Sequence, residues 1–209
     1  MAFYDLVIIG AGALGTFHAY HAARAGNRVL LLEKDNLPQS ASVRNLGQVV
    51  PSGLSGRWFE YGRRSLDIYR DIQAEHELTV RQNGSVYVAS DDDEWTLANQ
   101  LFDRRRAENY PCQLLAKAQT LARYPMLQPY YVRGALLFPD EVSVEPDRMI
   151  HQLIGYVQKK YGVTYLANAA VVDCQSNYNG AIITLATGAG LLATHQKATP
   201  PATRPAARR

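Results

Sequence analysis

The pattern that most limits what this chain can fold into is Gly10-Ala11-Gly12-Ala13-Leu14-Gly15, set between two short apolar runs. Residues 4–9 (YDLVII) precede it. A helical stretch to Arg24, closed by Gly26-Asn27, leads to residues 28–33 (RVLLLE), which end in an acid, Glu33. The apolar runs predict two buried strands. A strand, a helix and a strand in so little sequence predict a βαβ unit with parallel strands. The three glycines do different things. Gly10 permits the tight turn, Gly12 lets a diphosphate approach the backbone, and Gly15 lets helix and strand pack closely. The N–H groups and dipole at the helix start attract phosphates. Glu33 can accept hydrogen bonds from both ribose hydroxyls and would repel a 2′-phosphate, which disfavours NADP. The unit therefore predicts a dinucleotide site, with Lys34 beside its acid.

Residues 34–57 read as a loop rich in Ser, Gly, Asn and Pro. A helix is expected over 57–76, with Trp58, Tyr61, Ser65, Ile68 and Ile72 on its packing face. Residues 80–89 read as a strand, and 94–109 as a helix on which Arg104-Arg105-Arg106 form a solvated face. A strand at 134–138, a helix from Pro146 to Lys160 and a strand over 163–172 follow. Residues 181–185 and 191–194 are expected to form a hairpin around Thr187-Gly188-Ala189-Gly190. From Lys197 onward the text is Ala, Thr, Pro and Arg without periodicity, and a disordered tail is expected.

Composition excludes several classes. With 209 residues, 47% hydrophobic and 20% charged, the chain has the make-up of a globular protein. No apolar run reaches the roughly 18 residues of a membrane span, and no basic leader opens it. A cytoplasmic protein with two buried thiols, Cys112 and Cys174, is expected. The net charge of +3 belongs to the tail, where Lys197, Arg204, Arg208 and Arg209 lie; the remainder is close to neutral, so no nucleic-acid partner is indicated. His18 and His21 sit one turn apart with no third ligand in sight and His151 has no partner, so no metal site is expected.

The segment Ser42-Val43-Arg44-Asn45-Leu46-Gly47-Gln48-Val49 resembles the second flavin-contacting segment of the D-amino-acid oxidase (DAO) superfamily. Glycine, sarcosine and γ-glutamylputrescine oxidases of that family have a Ser, an Arg-Asn or small pair, and a Gly before a polar and an apolar residue. The resemblance implies FAD as the cofactor. Ser42 and Arg44 would then serve phosphates or the flavin edge, Gly47 would admit the flat ring, and Arg44, Asn45 and Gln48 would stand near the isoalloxazine. Val144-Glu145-Pro146-Asp147 before a helix, then Gly162-Val163-Thr164 and a strand to Val171, follow the same layout. It implies that Val171 meets the adenine through its backbone. Residues 42–53 look most like the flavoprotein oxidases associated with aminophosphonate breakdown.

The implied fold is α/β: a Rossmann-like FAD-binding domain with a parallel sheet and a βαβ start, and an inserted, incomplete α+β substrate domain. Residues 1–79 and 143–196 would form the first, 80–142 part of the second, and 197–209 the tail. The implied reaction oxidises a C–N bond of an amine, amino acid or aminophosphonate by hydride transfer to flavin, with oxygen or another acceptor taking the electrons. Arg133 and Tyr130 are candidates for the substrate side, with solvent-facing roles as the alternative; no catalytic residue is assigned. Family members are about twice as long, and the change at Lys197 reads as an out-of-frame or truncated ending, so the chain alone is expected to be incomplete or inactive. An NAD-linked dehydrogenase and a non-catalytic nucleotide-binding remnant stay open as alternatives.

Overall fold

A computed structural model describes residues 3–177 and 180–194. The chain divides into two compact units: one comprises the residues up to Val43 and those from Leu153 onward, the other Arg44–Gln152. The first unit begins with β1 (Leu6–Ile9), α1 (Ala13–Arg24) and β2 (Val29–Leu32). β1 and β2 pair in parallel, Leu6 opposite Val29 through Ile9 opposite Leu32. All four residues of β2 are buried, as a strand covered on both faces must be. Helix α1 ends where Gly26 takes φ +89°, a conformation glycine adopts without strain.

The second unit opens with β3 (Gln48–Val49), a single 3-10 turn at Pro51–Gly53, and α2 (Gly56–Glu75). Then come β4 (Ser85–Ala89), α3 (Asp92–Ala107), β5 (Gln113–Ala116), α4 (Lys117–Arg123), β6 (Gly134–Phe138) and β7 (Val142–Ser143). β4, β6 and β5 form an antiparallel sheet with β6 in the middle, and β3 pairs with β7. The core of this unit gathers Phe59, Ala98, Tyr110, Leu136 and Phe138. Helix α3 starts where it does because Asp91 accepts the Glu94 amide at 2.8 Å while Glu94 accepts the Ser90 amide at 2.7 Å. Acids at Asp92–Glu94 and arginines at 104–106 oppose the helix dipole at both ends.

Helix α5 (Pro146–Tyr161) contains the boundary between the units. The first unit resumes with β8 (Thr164–Leu166), β9 (Val171–Asn177), β10 (Gly180–Leu185) and β11 (Gly190–Thr194). β8 pairs in parallel with β2, giving the order β1-β2-β8, and β9, β10 and β11 form an antiparallel meander. The hairpin turn lies where the sequence predicts it: Gly188 takes φ +82° and Leu185 N donates to Ala189 O at 2.9 Å. Leu30, Leu32, Ala169, Ile183 and Leu185 form the core here. Tyr20, Tyr156 and Tyr161 pack against one another, with centroids of 5.6 to 6.3 Å.

Several expectations are corrected. The strand over 163–172 is two strands, because Asn168 adopts φ +54° and its amide turns to Asp35 O at 3.0 Å. The strand over 80–89 shortens to Ser85–Ala89, with Gly84 at φ +71° preceding it. Helix α2 buries Ile72 as expected, but together with Phe59 and Leu66, whereas Trp58 and Tyr61 are exposed. Arg105 is not solvated but wholly buried. Cys112 is half-buried and Cys174 exposed, both as free thiols. β5 and α4 had no counterpart in the sequence reading. The expected tail at 197–209 lies outside the described residues.

Candidate cofactor site

The turn between β1 and α1 is built from backbone. Gly10 donates to Leu32 O at 2.7 Å and takes φ +98°, and Gly12 stands at the helix N-cap without a capping side chain of its own. The cap comes from far along the chain: Ser42 Oγ accepts the Ala13 amide at 2.9 Å. Gly15 packs so tightly that a Cβ on it would stand 1.9 Å from Gly10 O, and one on Gly12 would stand 2.9 Å from Ser42 Oγ. Thr16 Oγ1, buried, donates to Ala11 O at 2.9 Å and ties the first helical turn to the glycine segment.

Glu33 follows the last residue of β2 and is 7% exposed. Its Oε2 accepts the Ala11 amide at 3.0 Å and its Oε1 the Asp35 amide at 3.2 Å. Lys34 pairs instead with Asp35 at 2.6 Å, which raises the lysine pKa. Behind the acid, on β8, Tyr165 has a pKa pushed up by burial and then by the Glu33 charge; its hydroxyl oxygen is buried without a hydrogen-bond partner among the described residues.

The glycine turn, Glu33 and Ser42 border one cleft of about 330 Å³. Of the residues singled out in the sequence, Gly10, Gly12, Glu33, Lys34, Ser42 and Val171 line it. Ala11, Ala13 and Gly15 shape the turn without lining the cleft, and Leu14 is 77% exposed. The sequence reading missed Pro38, Gln39 and Ser40, and the pair Ala169-Ala170. Small residues just before Val171 and a proline just after the strand-end acid were the available signals.

Arg44, Asn45, Gly47 and Gln48 belong to the second unit. There Arg44, Asn45 and Gln48 are exposed and Gly47 is buried. Asn45 Oδ1 accepts the Gly47 amide at 2.7 Å, and Gly47 O accepts the Val144 amide at 2.8 Å. Gly47 takes φ +64°, and a Cβ there would stand 2.0 Å from Val144 O. Tyr130 is 84% exposed, and Arg133 pairs with Asp92 at 3.0 Å. His18 Nδ1 lies 2.7 Å from Leu14 O, and the His21 ring meets that of Tyr20 at 4.9 Å. Among the described residues no group of three or more His, Cys, Asp or Glu could hold a metal ion, and no helix is long and apolar enough to cross a membrane.

A parallel βαβ unit whose glycine turn, helix start and strand-end carboxylate border one cleft defines the Rossmann class of dinucleotide-binding folds. Residues 5–204 match the family DAO, FAD dependent oxidoreductase. The chain belongs to that family, whose cofactor is FAD. It is 26% identical over 148 residues to mitochondrial sarcosine dehydrogenase of Mus musculus, covering 68% of this chain and 16% of that protein. Glycine oxidase of Geobacillus kaustophilus (strain HTA426) is 22% identical over 196 residues, 86% of this chain and 50% of the relative. A crystal structure of glycine oxidase from Geobacillus kaustophilus superposes with a TM-score of 0.82 at 20% identity, covering 92% of this chain and 54% of that one. L-amino acid deaminase from Proteus vulgaris gives 0.81 at the same 20% identity, covering 91% and 46%. These structural matches establish the α/β fold. The chain spans about half, or less, of the length of these relatives.

Proposed function

We propose that this chain binds FAD through the Gly10–Gly15 turn, Glu33, Ser42 and the Val171 segment, and serves the oxidation of a C–N bond in a small amine or amino acid. The supporting observation is the glycine-floored cleft with a buried carboxylate in its wall. Its volume suits the adenosine end of a dinucleotide rather than the whole, at the low end of ligand pockets. A carboxylate offers about four acceptor positions. Glu33 uses two of them on the Ala11 and Asp35 amides and keeps the others for ribose hydroxyls. Ser42 Oγ, which accepts the Ala13 amide, lines the cleft at the helix start, where the phosphates would sit.

In this reading Val171 meets the adenine through its backbone, and Arg44, Asn45, Gly47 and Gln48 act on the isoalloxazine side. Residues 1–79 and 143–196 hold the cofactor, and 80–142 form part of the substrate side. Bound FAD supplies a hydride acceptor at its N5. This chain's own residues supply binding and orientation, and none is assigned a proton transfer. An amine, amino acid or aminophosphonate as substrate, and oxygen or another acceptor for the electrons, complete the proposal.

The test is titration of the purified chain with FAD, ADP and NAD, followed by flavin fluorescence and melting temperature. FAD should bind saturably and ADP should compete with it. Glu33→Gln should weaken both by about tenfold, the equivalent of one charge-assisted hydrogen bond. Uptake of NAD without uptake of FAD would move the chain to the NAD-linked dehydrogenases, and uptake of neither would overturn the reading.

A further inference from the structure

We infer that Arg105 and Glu141 are positioning residues for the flavin ring, acting through the peptide of Ser52. This rests on the proposed function, in which the Gly47–Gln48 segment lies along the isoalloxazine.

Both side chains are fully buried charges that the cofactor cleft does not use. They meet at Ser52, itself wholly buried. Glu141 Oε1 accepts the Ser52 amide at 2.7 Å, and Arg105 Nε donates to the Ser52 carbonyl at 2.9 Å. The Ser52 hydroxyl is hydrogen-bonded to Tyr87 Oη at 3.1 Å. Every polar group of this one residue is therefore held by a side chain from another element. Arg105 is in turn fixed by the Leu54 carbonyl, the Glu108 carboxylate and the face of Phe59, 3.9 Å from its ring centre. Glu141 also accepts from Ser85 Oγ and, at 3.3 Å, from the Tyr110 hydroxyl, whose pKa is raised by burial and by that carboxylate.

Removing two charges from water costs several kcal/mol each before pairing offsets it. Apolar residues could cover a loop more cheaply, so the arrangement points to a need for one fixed conformation. The segment it fixes is short. β3 makes only two residue pairs, Gln48 with Ser143 and Val49 with Val142. Gly47, sealed against the Val144 carbonyl, pins one end of this segment, and Ser52 pins the other. Between them Gln48 stays exposed.

Comparing FAD with ADP isolates the ring from the nucleotide. Arg105→Lys keeps the charge but loses the planar fork, and Glu141→Gln keeps the shape but loses the charge. In each, FAD affinity should fall about tenfold while ADP affinity stays within about twofold. The visible band of bound flavin should shift as well. Tyr87→Phe removes one hydroxyl at a partly exposed site and should show the same bias at smaller size. Loss of FAD and ADP affinity together, or of neither, overturns the inference. If the two core variants fail to fold, an unchanged FAD-to-ADP ratio in Tyr87→Phe overturns it. A wild type that binds ADP but takes FAD no more tightly removes the clamp and leaves the nucleotide site standing. A wild type that binds neither removes both.

Discussion

At Gly15 the backbone of α1 rests on the backbone of the preceding turn, with no room for a methyl group. Gly15→Ala must push the helix off the sheet and should cost about 1–3 kcal/mol, the usual range for overpacking, read as a lower urea midpoint at constant slope. Asp5 gives a pH test. Arg28, through its side chain and its amide, holds the Asp5 pKa at about 2, below its ordinary 3.8. A depressed acid stabilises the fold above its ordinary pKa and loses that effect as pH falls through the lowered one. The stability advantage of wild type over Asp5→Asn should therefore fade between pH 3.8 and about 2 and be absent below. Tyr165→Phe removes a buried hydroxyl with no partner among the described residues. Its stability should be unchanged or higher by about 1 kcal/mol; a clear drop in melting temperature would count against the assignment. Legibility at this scale was uneven. The glycines and Glu33 could be read because spacing alone dictates what each must do. Arg105 could not, because its two arginine neighbours share its chemistry and only the fold selects which one turns inward.

Helix α2 shows what periodicity does and does not specify. Its sequence offers a stripe through Trp58, Tyr61, Ser65, Ile68 and Ile72, yet of these the structure buries Ile72 alone and adds Phe59 and Leu66 to it. A contact outside the helix favours this rotated face: Gly62 brings the backbone so near Pro51 that a Cβ would lie 2.7 Å from the proline ring. Phe59→Ala should accordingly cost about 3–5 kcal/mol. Trp58→Ala, at a residue 70% exposed, should stay within about 0.5 kcal/mol. Equal losses in thermal melts would reverse the facing. Strand ends were harder to read than strand centres. The breaks at Gly84 and Asn168 are positive-φ residues serving local turns, and neither interrupts the apolar pattern strongly enough to announce itself.

For the whole molecule, nucleotide binding and stability are one quantity. ADP at a hundred times its dissociation constant should stabilise the fold by about 2.7 kcal/mol, and Glu33→Gln should lose part of the resulting rise in melting temperature at matched concentration. The βαβ start and the closing hairpin were legible because each is local, the first lying within Leu6–Leu32 and the second joined by a short turn. The antiparallel sheet of the second unit was legible only in part. β5 is short and interrupted by no strong turn signal, so its identity depends on β6 lying beside it. The register of β8 on β2 carries a kinetic consequence. It sets Thr164 opposite Leu30, and the entire second unit is threaded between them in the chain. Loop-closure entropy must be met before that parallel edge returns any contact energy. The third strand should therefore be the last to gain protection in pulse-labelled hydrogen exchange, after the intervening residues have condensed and shortened the span.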